Sequence, residues 1–144
     1  MAIRNLLFIL LLWGSFFFAF VRGGPSERAV ALIMLTGVEM SHFALLPLSG
    51  RFHGIEVGVL LVDILVFFAL FAVGLLTRKF WPLWVTAMQG VGLMAHLSGV
   101  LPDVIPNAYA NAVQLWSWPI LITLAIATWL HMRDRAAQPL IPLR

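Results

Sequence analysis

The sequence predicts an all-α, polytopic membrane protein, and three observations support this. Of its 144 residues, 62% are apolar and only 10% are charged, whereas soluble domains are roughly half apolar and about a quarter charged. The mean hydropathy is +0.99, and a soluble fold of this length does not bury so much apolar surface. The apolar residues form long runs without the alternation of a membrane β-barrel. Lipid is therefore the expected solvent for most of the surface.

Five apolar segments have the length of a membrane span. A helix rises about 1.5 Å per residue, so roughly 20 residues cross the hydrocarbon core. The predicted spans are residues 2–21, 28–46, 56–77, 80–101 and 112–132. They form one transmembrane domain over residues 1–132, followed by a short basic cytoplasmic tail at 133–144.

Local signals justify the individual helices and links. Arg4 precedes the apolar run of residues 6–21, which ends without a small-x-small cleavage site and is therefore predicted to be an uncleaved first span. Ser26 is a candidate N-cap for the second helix. The link at residues 77–79 is so short that the third and fourth helices must form a tight antiparallel hairpin. Pro119 lies inside the predicted fifth helix and should kink it.

The basic residues predict the orientation of the bundle. Segments that carry more Lys and Arg remain cytoplasmic, and an odd number of spans puts the two termini on opposite sides. One predicted side carries two basic residues, Arg4 and Arg51, and the other carries seven: Arg22, Arg28, Arg78, Lys79, Arg133, Arg135 and Arg144. The N-terminus is therefore predicted outside and the C-terminus inside, in a bacterial inner membrane. Because these charges flank the spans, they do not indicate nucleic-acid binding.

Four ionisable residues lie inside apolar runs: Glu39, His42, Asp63 and His96. Their distances from the predicted helix ends put them at similar depth near the outer face. Charged groups are expensive in hydrocarbon, and they usually face each other, a cavity or a ligand. We therefore expect these four side chains to converge.

Further polar residues extend this predicted cluster. Thr36, Glu56 and Gln89 share helix faces with the ionisable residues. In the simplest interpretation, the polar network only joins the helices, at about 1 kcal/mol for each hydrogen bond.

The alternatives to a purely structural network are a cofactor, a metal ion or a proton path. Glu39 and His42 have the Glu-x-x-His spacing of carboxylate-rich metal centres, and a single metal ion with Glu39, His42, Asp63 and His96 as ligands fits the ligand types. His42 and His96 are also candidate axial ligands of a b-type haem, and a quinone is a further option. A row of acids and imidazoles also suits a proton relay in a small proton-coupled transporter.

The sequence contains no cysteine and no Gly-x-Ser-x-Gly or HExxH motif. We therefore expect a non-catalytic protein, an accessory or assembling subunit of a membrane complex or a homo-oligomer. A membrane protein that binds a redox cofactor or metal is the first alternative, and a proton-coupled transporter is the second.

One resemblance extends over nearly the whole chain. It is carried by Phe80-Trp-Pro-Leu-Trp84, Ala95-His96, Pro106-Asn-Ala-Tyr109 and Trp116-Ser-Trp-Pro-Ile120. With these segments the chain resembles a group of small inner-membrane proteins of alphaproteobacteria. The resemblance implies an inner-membrane location but no activity, because that group has no function to carry over.

Overall fold

The computed structural model describes residues 2–44, 57–96 and 115–137, which form five α-helices. The helices are α1 (Ala2–Arg22), α2 (Pro25–Ala44), α3 (Val57–Thr77), α4 (Phe80–Ala95) and α5 (Ser117–Ala137). The described residues contain no strand. The all-helical prediction is therefore confirmed, and each of the five predicted segments corresponds to one helix.

The helices form a closed ring. Each helix packs against the next one along the chain, and α5 returns to pack against α1. α5 also contacts α2 across the ring. Buried apolar side chains from all five helices fill the centre, among them Leu12, Val30, Met34, Leu70, Val85 and Leu124.

Two glycines allow α3 to lie close to its neighbours. A Cβ added at Gly37 of α2 would lie 2.6 Å from Cγ2 of Val66, and one added at Gly74 of α3 would overlap the Leu83 side chain of α4. Small residues at helix interfaces allow this close approach in membrane bundles. The second contact joins the end of α3 to the start of α4, as in an antiparallel pair.

The helix α1 is parallel to α5. The Phe8 and Trp118 rings lie 5.8 Å apart near the start of both helices, and the Ser15 hydroxyl donates a hydrogen bond to the Leu121 carbonyl at 3.3 Å. The end of α1, the start of α2, the α3–α4 turn and the end of α5 therefore share one end of the bundle, which we call the basic end. Its basic residues are Arg22, Arg28, Arg78, Lys79, Arg133 and Arg135.

The outer surface of the bundle is strongly apolar. Large exposed hydrophobic side chains include Leu6, Leu10 and Phe17 on α1, and Leu61, Leu65 and Phe68 on α3. Among the described helices, Ile3–Arg22 and Val57–Thr77 are long and apolar enough to cross a membrane. Length and composition of these two helices thus support the membrane prediction, while the count of five spans stays a prediction.

The start of α2 differs from the prediction. Pro25 is the first helical residue, and the N–H of Arg28 donates to the Gly24 carbonyl at 3.0 Å. Gly24 is therefore the N-cap, and Ser26 lies inside the first turn. Proline is favoured at the first helical position, because its missing N–H would have no partner there.

The bounds of α5 also differ from the prediction. α5 begins at Ser117, so Pro119 lies in the first turn, where backbone N–H groups have no intrahelical partner. The predicted reason for a kink is therefore absent. α5 continues to Ala137, so the first five residues of the predicted tail are helical. Residues 138–144 lie outside the described residues.

Candidate functional site

Asp63, Gln89 and His96 form the polar group that the structure brings together between α3 and α4. Oδ2 of Asp63 lies 2.8 Å from Nε2 of His96. Nε2 of Gln89 donates to Oδ1 of Asp63 at 3.2 Å. The His96 side chain is 2% exposed and that of Asp63 is 21% exposed. Both carboxylate oxygens are therefore bonded, and the imidazole is removed from solvent.

The antiparallel α3–α4 pair explains how these three residues meet. Gln89 lies in α4, and His96 directly follows its last residue with helical backbone angles. Because they are seven positions apart, they lie two turns apart on one side of the helix. Gly90 faces the Phe67 ring, with 3.2 Å between an added Cβ and Cε2, which keeps the two helices close at this level. Asp63, one turn before Phe67, thereby reaches both partners.

The atoms of this group can take part in hydrogen-bond and proton chemistry. Which atom donates between Asp63 and His96 depends on the imidazole tautomer, so the pair can share a proton in more than one arrangement. Asp63 and His96 are both metal-ligand types. However, within the described part of the chain, no group of three or more His, Cys, Asp or Glu side chains is placed to hold a metal ion.

Glu39 and His42 lie apart from this group. As predicted, they share one side of α2 with Thr36. All three residues are exposed, whereas α2 buries the opposite side, which includes Val30 and Gly37. The prediction of a common side was sound, but the expected direction was not.

The exposure of Glu39 and His42 contradicts the predicted geometry of two sites, the four-ligand metal site and the haem site. The structure joins Asp63 to His96 but leaves Glu39 and His42 on an exposed face, so the four predicted metal ligands are not gathered among the described residues. The two predicted haem ligands, His42 and His96, also differ: one is exposed, and Nε2 of the other contacts Asp63. The physical reason is that apolar packing sets the rotation of α2, since its buried side must fit against α1, α3 and α5.

The other residues of the predicted polar network are Thr36, Gln89 and Glu56. Of the two that the structure describes, only Gln89 joins the Asp63 group. The Thr36 hydroxyl donates to carbonyls of its own helix, at 2.8 Å to Leu32 and 3.1 Å to Ile33. Gln89 belongs to the Asp63 group. Glu56 lies outside the described residues.

A second polar cluster, at the basic end, was not predicted. Its centre is Glu27, whose side chain is 1% exposed. Oε2 of Glu27 accepts hydrogen bonds from the Gly24 N–H at 3.0 Å and from the Ser26 hydroxyl at 2.9 Å. Nζ of Lys79 lies 3.0 Å from Oε1 of Glu27 and donates to the Ser26 hydroxyl at 2.8 Å. The cluster links the start of α2 to the α3–α4 turn.

The electrostatics of this cluster favour a charged Glu27. Burial raises the pKa of the Glu27 carboxyl, but hydrogen bonds from Lys79, a backbone N–H and Ser26, together with the charge of Lys79, outweigh it and lower the pKa overall. Glu27 directly precedes the predicted second span, so these partners lie at the boundary rather than within the span. The carboxylate and Lys79 therefore form a stable ion pair.

A sequence signal for this cluster was present. Gly24-Pro-Ser-Glu27 places Glu at the third helical position, from which its carboxylate reaches back to the N-cap N–H, as in half of a capping box. The short 77–79 link carries the matching cation, Lys79. What the sequence does not contain is the distance between the two segments, which only the packing of α2 against α3 determines.

The comparisons with known proteins give no relative for this chain. No protein-family model, no curated protein and no solved structure matches it.

Proposed function

We propose that this chain is a small five-span protein of a bacterial inner membrane, with its N-terminus outside and its C-terminus inside. The proposal is supported by the apolar surfaces of α1 and α3 and by the collection of basic residues at one end of the ring. Cytoplasmic ends of membrane bundles typically carry such an excess of Lys and Arg.

We further propose that its role is that of a non-catalytic accessory or assembling subunit. The observation that carries this proposal is the exposed face of α2 with Glu39 and His42. Neither side chain has a hydrogen bond or ion pair to another described residue. In a bilayer, such groups are rarely left facing lipid. A partner that covers the face and supplies hydrogen bonds would remove the free-energy cost of exposing Glu39 and His42 to lipid.

The test is extraction of the native protein in mild detergent, followed by measurement of its molecular mass and its co-purifying proteins. We expect a complex larger than the monomer. A Glu39→Leu, His42→Leu variant should lose the complex but keep its helicity, whereas the matched control Phe68→Ala, on an exposed face of α3, should retain it. A native protein that is monomeric in bilayers as well as in detergent would contradict the assembling role.

Orientation is tested independently of assembly. Because the chain has no cysteine, single cysteines at Asn5 and at Arg135 can be labelled with an impermeant maleimide in intact cells. The proposed topology requires labelling at Asn5 and protection at Arg135. The reverse pattern, or labelling of both positions, would overturn it.

A second candidate function is ligand or proton chemistry at Asp63, Gln89 and His96. The observation that favours it is the 2.8 Å contact between a buried imidazole and a carboxylate within the bundle. An absorption spectrum and metal analysis of freshly extracted protein test the cofactor version, with His96→Ala compared against His131→Ala. Colourless protein without stoichiometric metal would exclude haem and metal binding. The Asp63→Asn variant then tests the proton-relay role.

A further inference from the structure

We propose that a second copy of this chain covers the exposed face of α2, and that Glu39 of each copy pairs with His42 of the other. This rests on the proposed assembling function and names the partner. The exposed face, which we call the α2 outer face, consists of Leu32, Thr36, Glu39, Met40, His42 and Phe43.

The α2 outer face lies directly opposite the buried side of the helix. At 100° per residue, the buried positions Val30, Met34 and Gly37 fall on one side of the α2 axis. The exposed positions Leu32, Glu39 and Phe43 fall on the other side. Neighbouring helices of the same copy therefore cannot cover the face without rotating α2 out of the core. An occupant must come from outside the five described helices.

The polar groups of this face are self-complementary. A two-fold interface uses the same patch on both copies, so the patch must contain both members of each contact. Glu39 supplies an acceptor and His42 supplies a donor. In parallel helices related by a two-fold axis along the membrane normal, they differ in height by three residues, about 4.5 Å. A glutamate side chain spans this distance, and two such pairs form at once.

The rest of the face suits a packed interface. Leu32, Met40 and Phe43 are exposed, Phe43 to 89%, and they lie beside Glu39 on the side away from His42. In a dimer, these side chains would place apolar contacts next to the polar pairs. Glu39 lies five residues before α2 ends at Ala44, about 7.5 Å along the axis. It is therefore deeper in the predicted span than His42, and its exposure to lipid costs more free energy.

Cysteine cross-linking in native membranes tests the face directly, because the chain has no cysteine of its own. Single cysteines at Thr36 and Met40 should form disulfide-linked dimers under mild oxidation. The matched control is Leu65→Cys, which is exposed on α3 next to Val66, at the level of Gly37. Cross-linking at Leu65 but at neither α2 position would overturn the proposal.

The polar pair is tested by the dimerisation constant in liposomes, measured by single-molecule photobleaching. Intramembrane hydrogen bonds contribute about 1–2 kcal/mol in model peptides, so Glu39→Gln and His42→Leu should each weaken dimerisation by roughly 5- to 30-fold. Leu65→Ala should leave it unchanged. Unchanged dimerisation in both polar variants would overturn the pairing, and so would loss of the native dimer on adding EDTA, which would indicate a metal bridge instead.

These outcomes separate the two levels of the proposal. A protein that co-purifies in fixed ratio with a different polypeptide, and that cross-links to it at Thr36, keeps the assembling function but contradicts the second copy as partner. A monomer in liposomes and in native membranes contradicts both.

Discussion

Among the described residues, two carboxylates lie between helices, those of Glu27 and Asp63, and they have partners of different kinds. Glu27 is held by Lys79, by a hydroxyl and by a backbone N–H at the basic end. Asp63 is held by His96 and Gln89, between α3 and α4. A lysine beside a carboxylate makes a fixed ion pair, whereas an imidazole and a carboxylate can redistribute a proton. The first arrangement is suited to holding helices together, and the second is the one that the proposed proton-relay role would use.

The largest expected effect comes from removing the cation of the Glu27 cluster. Lys79→Met keeps most of the side-chain length but leaves Glu27 buried without its ion-pair partner. Breaking a buried pair in this way costs about 3–5 kcal/mol, and we expect the lower end, about 3 kcal/mol, because the Lys79 side chain is 40% exposed. Thermal or denaturant unfolding in detergent measures the loss.

The matched control is Arg22→Met, which removes the same charge from an exposed position at the same end. It should change the free energy of unfolding by no more than about 0.5 kcal/mol. If both variants lose equal stability, the loss comes from net charge and the Glu27–Lys79 contact is not the structural link we infer.

The pH dependence of stability should reveal the same cluster. The pKa of Glu27 is lowered in the folded protein from an ordinary value of 4.5. Its contribution to stability is therefore fully present above about pH 4.5 and is lost as the pH falls through the lowered folded-state pKa. Melting temperatures measured from pH 7 down to pH 3 should fall more steeply for the wild-type protein than for Glu27→Gln. Parallel curves would mean that Glu27 is not the titrating group.

A smaller effect is expected at the second carboxylate. Asp63→Asn keeps an acceptor for Gln89 and a polar contact for His96, so the free energy of unfolding should change by about 1 kcal/mol or less. If Asp63 shares a proton in function, this folded variant should nevertheless lose proton-coupled transport. A loss of stability as large as that of Lys79→Met would make Asp63 a structural residue like Glu27 and would remove the contrast between the two.

Much of the fold follows from local features of the sequence. Long apolar runs and short links gave five helices, and the link at residues 77–79 required the α3–α4 hairpin that the structure contains. The pairing of Asp63 with Gln89 and His96 follows from that hairpin, since Gln89 of α4 and His96, directly after α4, lie on one side of that helix. These features depend on local length and spacing, which the sequence contains.

The rotation of α2 does not follow in the same way. Glu39 and His42 were expected inside the bundle because ionisable groups avoid lipid. Instead, the side of α2 that carries apolar and small residues, including Val30 and Gly37, packs against the other helices. Two rules conflict on this helix, and the tighter packing prevails within one copy. The Glu27–Lys79 contact was missed for a related reason, since it joins the first turn of α2 to the α3–α4 link, and their proximity depends on how α2 and α3 pack.

The smallest effect concerns the turn that brings Lys79 to Glu27. Arg78 adopts a left-handed backbone conformation, with φ of 52°. This conformation costs residues other than glycine about 1–2 kcal/mol. Arg78→Gly and Arg78→Ala both remove the guanidinium, but only glycine relieves this backbone cost. We expect the glycine variant to be more stable than the alanine variant by about 1 kcal/mol. Its free energy of unfolding should lie within about 0.5 kcal/mol of the wild-type value, because the greater chain entropy of unfolded glycine offsets the relief of backbone strain. Equal stability of the two variants would contradict a strained turn, and Lys79 would then reach Glu27 without conformational cost.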